Sequence, residues 1–185
     1  MVSAALLCRY RGLPIKYWKP IQTGIEQDDD SAEVQRLSTC GPGRVLNEGI
    51  RLPHPVSPHL AAKLSGTSLH IEPLISLGAA LTGGGWVVEG VGGVLVPLNE
   101  RDLLIDLISS LKLPVLIVAR SGLGTINHTL LTIEALGRRS VPIAGVVMVG
   151  LPDRENRLAI EHYGRVAVVG EMPMLNPLTP ERLRG

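Results

Sequence analysis

Residues 83–93 read GGGWVVEGVGG, an apolar run opened by glycines, closed by a lone carboxylate at Glu89 and followed at once by further glycines. A short run of this kind, bounded by turn residues and rich in valine, is a strand of a parallel sheet. The acid at its end must be solvated, paired or bound to a metal, because burying an unpaired charge is costly. Gly90, Gly92 and Gly93 then let a ligand come close to the backbone. A strand-end acid in such a setting is the arrangement that holds Mg²⁺ beside nucleotide phosphates, and a carboxylate capping a neighbouring helix is the plain alternative.

Working outward, the same punctuation recurs along the chain. Apolar runs predict strands at 14–19, 85–89, 114–120, 142–149 and 166–169, with both faces buried. Between them, helical spacing predicts helices at 2–11, 30–39, 57–64, 72–81, 101–111, 127–138 and 154–163. The clearest is 127–138, where Ile126, Leu130, Ile133 and Leu136 recur at helical period, Asn127 is placed to cap and Arg138 and Arg139 suit the far end. The segment 41–58, broken by glycines and prolines, reads as loop with a short strand at 50–52. Strands alternating with helices predict an α/β fold: a doubly wound, mostly parallel sheet with helices on both faces, in one domain over residues 1–185.

Composition narrows the function classes. The 185 residues are 45% hydrophobic and contain no Phe, so the core is aliphatic. Eighteen basic against 17 acidic residues leave a formal charge of +1 without long blocks, which argues against nucleic acid and anionic membrane as partners. Small molecules or another subunit are the expected partners. No run reaches the roughly 18 apolar residues of a membrane span, and VSAALLC has no basic residue before it, unlike a secretory signal. Cys8 and Cys40 lie in no metal spacing and read as idle thiols of a reducing cytoplasm.

In open parallel sheets ligands sit beyond the carboxyl ends of the strands. Lys19 stands at such an end, with Pro20 after it and a hydroxyl-bearing turn at Thr23 and Gly24, and can offer a compact charge to phosphate or to a developing anion. Asp28, Asp29 and Asp30 precede a predicted helix as caps, Asp30 being best placed both to cap and to share a metal with Glu89. VARSGLGTINHTLL, residues 118–131, passes from strand through a glycine turn into a helix whose free N–H groups suit an anion; His128 there reads as a helix-surface residue.

Taken in order, YWKPIQTG (17–24), SPHLAA (57–62), VVEGVGGVLVPLN (87–99), RSGLGTINHTLLTIEAL (120–136) and VVGEMP (168–173) resemble dethiobiotin synthetase of the biotin pathway over nearly the whole chain. The specific element is the combination of Lys-Pro-x-x-Thr-Gly with Glu-Gly-x-Gly-Gly-x-x-x-Pro. The resemblance implies a homodimeric, cytoplasmic P-loop α/β enzyme that uses ATP, Mg²⁺ and CO₂ or bicarbonate to close the ureido ring of 7,8-diaminononanoate. An amine carbamate forms, ATP phosphorylates it, and the second amine displaces phosphate as the ring closes. By the same resemblance Lys19 is the active-site lysine, Thr23 contacts substrate, and Asp30 and Glu89 hold Mg²⁺, with Glu89, Gly90, Val91 and Gly92 bordering ATP. Gly124, Thr125 and Asn127 would reach across the dimer to the substrate carboxylate. Val149, Gly150, Pro173, Met174 and Leu175 would border the adenine, although Val149 stands where many members carry asparagine, a departure that bears on base selectivity.

The resemblance also implies a strand and a Gly-x-x-x-x-Gly-Lys-Thr loop directly before the helix that matches VSAALL, and neither lies in these residues. The expectation is therefore a coding sequence that starts upstream of Met1. Two other readings stay open at this point: a non-catalytic homologue that keeps the fold without nucleotide binding, and a related ParA-like ATPase or amidoligase.

Overall fold

The computed structural model describes residues 1–41 and 43–184; Pro42, within the segment read as loop, and Gly185 lie outside the described residues. The elements run α1 (Val2–Arg9), β1 (Ile15–Trp18), β2 (Ile21–Thr23), α2 (Asp30–Ser38), β3 (Val45–Leu46), β4 (Ile50–Leu52), α3 (Pro58–Leu64) and α4 (Glu72–Ala79). They continue with β5 (Gly85–Val88), α5 (Leu104–Leu111), β6 (Val115–Arg120), α6 (Thr125–Arg138), β7 (Ile143–Val149), α7 (Arg154–Gly164), β8 (Val168–Met172) and α8 (Pro180–Arg184). The chain is divided into two compact units, residues 1–107 with 177–185, and 108–176.

In the first unit β1 lies between β3 and β5, and β2 pairs with β4, all in parallel. Ile15, Tyr17, Val45 and Val87 of these strands pack with Ala4, Leu7, Val34 and Leu37 of α1 and α2, and α8 closes on the same helices. In the second unit β7 lies between β6 and β8, again in parallel. Here α6 packs on β6 and α7, and α7 on β8. Val146, Met148, Ile160 and Leu136 are the fully buried side chains of that core. Parallel strands joined through helices make this an α/β fold, as the alternation of apolar runs predicts. No helix among the described residues is long and apolar enough to cross a membrane, and Cys8 and Cys40 form no disulfide among the described residues.

Several boundaries differ from the sequence reading, each for a local reason. Asp29, not Asp30, caps α2: one of its carboxylate oxygens accepts from the backbone N–H of Ser31 at 2.9 Å and of Ala32 at 3.1 Å. Asn127 is not a cap either. Gly124, at φ 90°, makes the turn, and its carbonyl accepts the first helical bond from His128 N, so Asn127 lies inside α6. The helix expected from residue 101 starts at Leu104, because Asn99 Oδ1 draws the N–H groups of Arg101 and Asp102 into a side-chain-closed turn and Asp106 takes the N–H of Leu103.

The last strand is shifted to Val168–Met172, where pairing with Val146 to Val149 overrides the weak strand preference of Gly170 and Glu171. Strands β2 and β3 and helix α8 were not legible, whereas the strand at 50–52 is present as β4. Burial on both faces holds at the end of β1, where the successive Tyr17 and Trp18 are both fully buried, but not in β6, which alternates and leaves Val118 54% exposed.

Candidate active site

The register of β1 against β5 decides where the charged groups fall. Trp18 pairs with Val88, so the next residues, Lys19 and Glu89, leave the carboxyl ends of neighbouring parallel strands side by side. The ladder runs one step further, with Glu89 N donating to Trp18 O at 2.9 Å. Lys19 Nζ donates to Glu89 Oε1 at 3.0 Å and to the Gly90 carbonyl at 3.5 Å. It also pairs with Asp30, which the Asp29 cap has freed for that contact.

Lys19 is only 6% exposed, so its ammonium depends on these partners rather than on water. The Ser3 hydroxyl of α1 donates to the other oxygen of Glu89. Partial burial pushes the Glu89 carboxyl up, but the Lys19 charge and the Ser3 and Lys19 hydrogen bonds outweigh it and hold it below the usual carboxylate range. Beneath them lies the fully buried side chain of Tyr17. Burial first, then the charges of Glu89 and Asp30, push its phenol upward, so it stays protonated.

The unit thus brings Lys19, Asp30, Glu89 and Gly90 together. Thr23 ends β2, half-buried. Val91 and Gly92 follow on a turn; Gly92 has φ 68°, and a Cβ there would stand 2.9 Å from Val96 Cγ2, so the turn requires glycine. Among the described residues no cluster of three or more His, Cys, Asp or Glu side chains could hold a metal by protein alone. Mg²⁺ needs less: one or two carboxylates, with water and substrate phosphate completing its octahedron. Asp30 and Glu89, two hard oxygen donors already converging on one cation, fit that requirement.

The second unit holds a cleft of about 770 Å³ at the carboxyl ends of β6 and β7. Thr125, Val149, Gly150 and Met174 line it, while Gly124, the α6 cap, and Asn127, Pro173 and Leu175 are not among its lining residues. Gly150 sits at φ 136° with Ser121 Oγ only 2.3 Å from where a Cβ would be, so the wall closes here on a bare backbone. The Thr125 hydroxyl is buried without a partner among the described residues.

Sequence reasoning missed Ser3, Tyr17, Gln22 and Arg51 in the first unit and Arg120, Ser121 and Asp153 in the cleft. For Arg51 a signal existed: a single charge inside the apolar triplet Ile-Arg-Leu must find a partner if that triplet is a strand.

A parallel sheet whose strand ends carry a buried lysine between two carboxylates, with helices packed on it, is an α/β protein of the P-loop NTPase-like kind, and a family model described as an AAA domain matches residues 1–182. The particular family follows from closer relatives: the chain belongs to the ATP-dependent dethiobiotin synthetase family. It is 42% identical over 182 residues to proteins of that name, BioD, from Brucella ovis, Brucella melitensis and Brucella abortus, covering 98% of this chain and 84% of each relative.

Proposed function

We propose that this protein catalyses the ATP- and Mg²⁺-dependent closure of the ureido ring of 7,8-diaminononanoate with CO₂, giving dethiobiotin, ADP and phosphate, and that it does so in the cytoplasm as a homodimer. The observation that carries the reading is the convergence of Asp30 and Glu89 on the buried Lys19 at paired strand ends. One amine of the substrate takes up CO₂ as a carbamate and loses a proton. A carbamate oxygen then attacks the γ-phosphorus of ATP, and ADP leaves with the bridging oxygen. The second amine attacks the carbamoyl carbon, the C–O bond to phosphate breaks, and the ring closes with loss of a proton.

Negative charge gathers twice on this path, on the carbamate and on the transferring phosphoryl group, and catalysis here is mostly positioning and charge stabilisation. Lys19 supplies a fixed cation for both. Its strand-end position and its carboxylate partners hold the ammonium in one place, so little reorganisation is needed when charge develops. Asp30 and Glu89 hold Mg²⁺, which when bound neutralises phosphate charge. The glycine turn of Glu89, Gly90, Val91 and Gly92 gives ATP close access to backbone. Thr23 positions the diamine. Gly124, Thr125 and Asn127 at the start of α6 take the substrate carboxylate across the dimer, where free N–H groups and the helix dipole favour an anion. Val149, Gly150, Pro173, Met174 and Leu175 border the base.

The test supplies purified protein with ATP, Mg²⁺, 7,8-diaminononanoate and isotopically labelled bicarbonate. ADP should appear together with dethiobiotin labelled at its ureido carbon. ADP release indifferent to the diamine, or a product without the label, would overturn the proposal.

A further inference from the structure

The lysine–carboxylate group has a second layer behind it, on the side of α2. Gln22 and Arg51 are register partners in the β2–β4 pair, and both side chains reach the first turn of α2. Arg51 uses its guanidinium as a fork: one nitrogen donates to Gln22 Oε1 at 2.9 Å and lies 3.4 Å from Asp29 Oδ1, the other donates to the Ser31 hydroxyl at 3.0 Å. Gln22, 1% exposed, donates in turn to the Asp28 carbonyl at 3.0 Å and to Asp29 Oδ1 at 3.3 Å. One oxygen of Asp29 thereby collects four donors, two from the backbone of α2 and two from the strand pair. Partial burial opposes it, but the Ala32 N–H, Arg51 and Gln22 keep the Asp29 carboxyl below its usual range.

The consequence falls on the neighbouring residue. Asp29 is tied down, so Asp30 leaves the helix start in a set direction, and that direction is toward Lys19. Lys19 and Gln22 are three residues apart on one segment, so the same stretch of chain carries the cation and the brace that aims its partner. The network is anchored at its inner end by the buried Gln22 and Ser31, while Asp29 and Arg51 reach the surface, and its several mutual hydrogen bonds restrict the first turn of α2. We propose that Arg51, acting through Gln22 and Asp29, is a positioning residue for Asp30: it sets the first turn of α2 so that Asp30 and Glu89 face one cation from two sides. This rests on the reading of Asp30 and Glu89 as the Mg²⁺ ligands.

Lysine at position 51 would keep the charge but not the two-pronged geometry that joins β2 to α2. The test measures Mn²⁺ binding, as a spin probe for Mg²⁺, by electron paramagnetic resonance of the free ion, alongside thermal unfolding. The proteins compared are the unaltered chain, Asp30→Asn, Arg51→Lys, Arg51→Met and the double variant Arg51→Lys/Asp30→Asn. Partners that orient metal ligands typically change affinity by about 10- to 100-fold, and a loss of about tenfold is expected for either Arg51 variant. In the Asp30→Asn background the Arg51→Lys change should add less than about twofold, because the residue it positions is gone.

Should Arg51→Met fail to fold, Arg51→Lys carries the comparison. Loss of Mn²⁺ in Asp30→Asn with unaltered affinity in Arg51→Lys would overturn the positioning role alone. Losses that multiply in the double variant would make Arg51 a general fold staple and overturn it as well. Mn²⁺ binding that ignores Asp30→Asn, or no Mn²⁺ binding by the unaltered chain, would overturn the metal reading and this inference with it.

Discussion

The two units present opposite kinds of site. In the first, every charged group is spoken for: a buried ammonium lies between two carboxylates, one carboxylate is further held by a serine, and the helix that carries the other is braced by an arginine and a glutamine. In the second, a cleft is walled by Ile117, Val118, Val149, Leu151 and Met174, and its polar groups are the side chains of Arg120, Ser121, Thr125 and Asp153 with the start of α6 and bare glycine backbone. The physics of the two differs accordingly. Preorganised charge in a water-poor place stabilises a transition state, because its geometry is set before the reaction begins. An apolar cleft with a few polar groups selects and orients a ligand while doing little to its bonds. Under the proposed function the first unit carries the chemistry and the cleft of the second carries recognition of the base and the substrate carboxylate, and the contrast can be broken by substitutions that affect the wrong property.

The largest effect is expected at Lys19. Lys19→Ala should lower kcat by about 10²–10³-fold, the size seen when one preorganised donor to a developing anion is lost. Binding of substrate and nucleotide, measured by calorimetry, should change by less than about threefold if the cleft governs recognition. A variant with unchanged kcat and much weaker binding would reverse the assignment of the two units.

Next comes the backbone of the cleft. Gly150→Ala places a methyl group 2.3 Å from Ser121 Oγ at φ 136°. Strain of that kind costs about 1–3 kcal/mol, which for a chain of this size lowers Tm by roughly 2–12 °C. Its kinetic mark should be a higher KM for ATP with kcat little altered. A fall in kcat at constant KM would tie this wall to the chemistry instead.

The same contrast explains what could be read in advance. The groups of the first site stand out in sequence because Lys19 and Glu89 are charges that close mainly apolar runs, and parallel pairing of those runs then brings them together. The cap was misread by one residue because three consecutive aspartates offer the same side chain, and only the contacts of Asp29 with Gln22 and Arg51 separate them. Arg51 itself was hidden by topology: its role needs β4 to pair with β2, a non-local pairing between segments of three residues each that carry little local signal. Ser3 was hidden for the reverse reason, as a small polar residue inside an apolar helix carries no period of its own. In the cleft the glycine turn was legible as strand-to-helix punctuation. The helix start fell two residues early because Gly124 makes that turn without a side-chain cap.

A smaller effect separates paired from unpaired acid by pH. Lys19 and Ser3 hold the Glu89 carboxyl below its usual value in the folded chain, so on acidification the unfolded chain takes up the proton first. The stabilisation is therefore whole above the unfolded value of about 4.3 and drains away as pH drops through the lower folded value. Glu89→Gln removes that contribution, and its denaturation midpoint should fall less steeply than that of the unaltered chain between about pH 6 and pH 3. Parallel slopes would mean that Lys19 and Ser3 do not hold Glu89 in solution.

The smallest effect tests whether the second unit keeps polar groups for a ligand. Thr125 is buried at the start of α6 and lines the cleft, yet its hydroxyl has no partner among the described residues. An unpaired buried hydroxyl costs about 1–3 kcal/mol, so valine, which keeps the shape and drops the polar atom, should leave Tm unchanged or raise it slightly. The functional cost should move the other way: KM for the diamine rises by about three- to tenfold if that hydroxyl meets the bound substrate, as one neutral hydrogen bond is worth about 0.5–1.5 kcal/mol. A destabilised Thr125→Val with unchanged KM would make the hydroxyl a part of the fold. It would leave the recognition role of the cleft to its backbone and apolar wall.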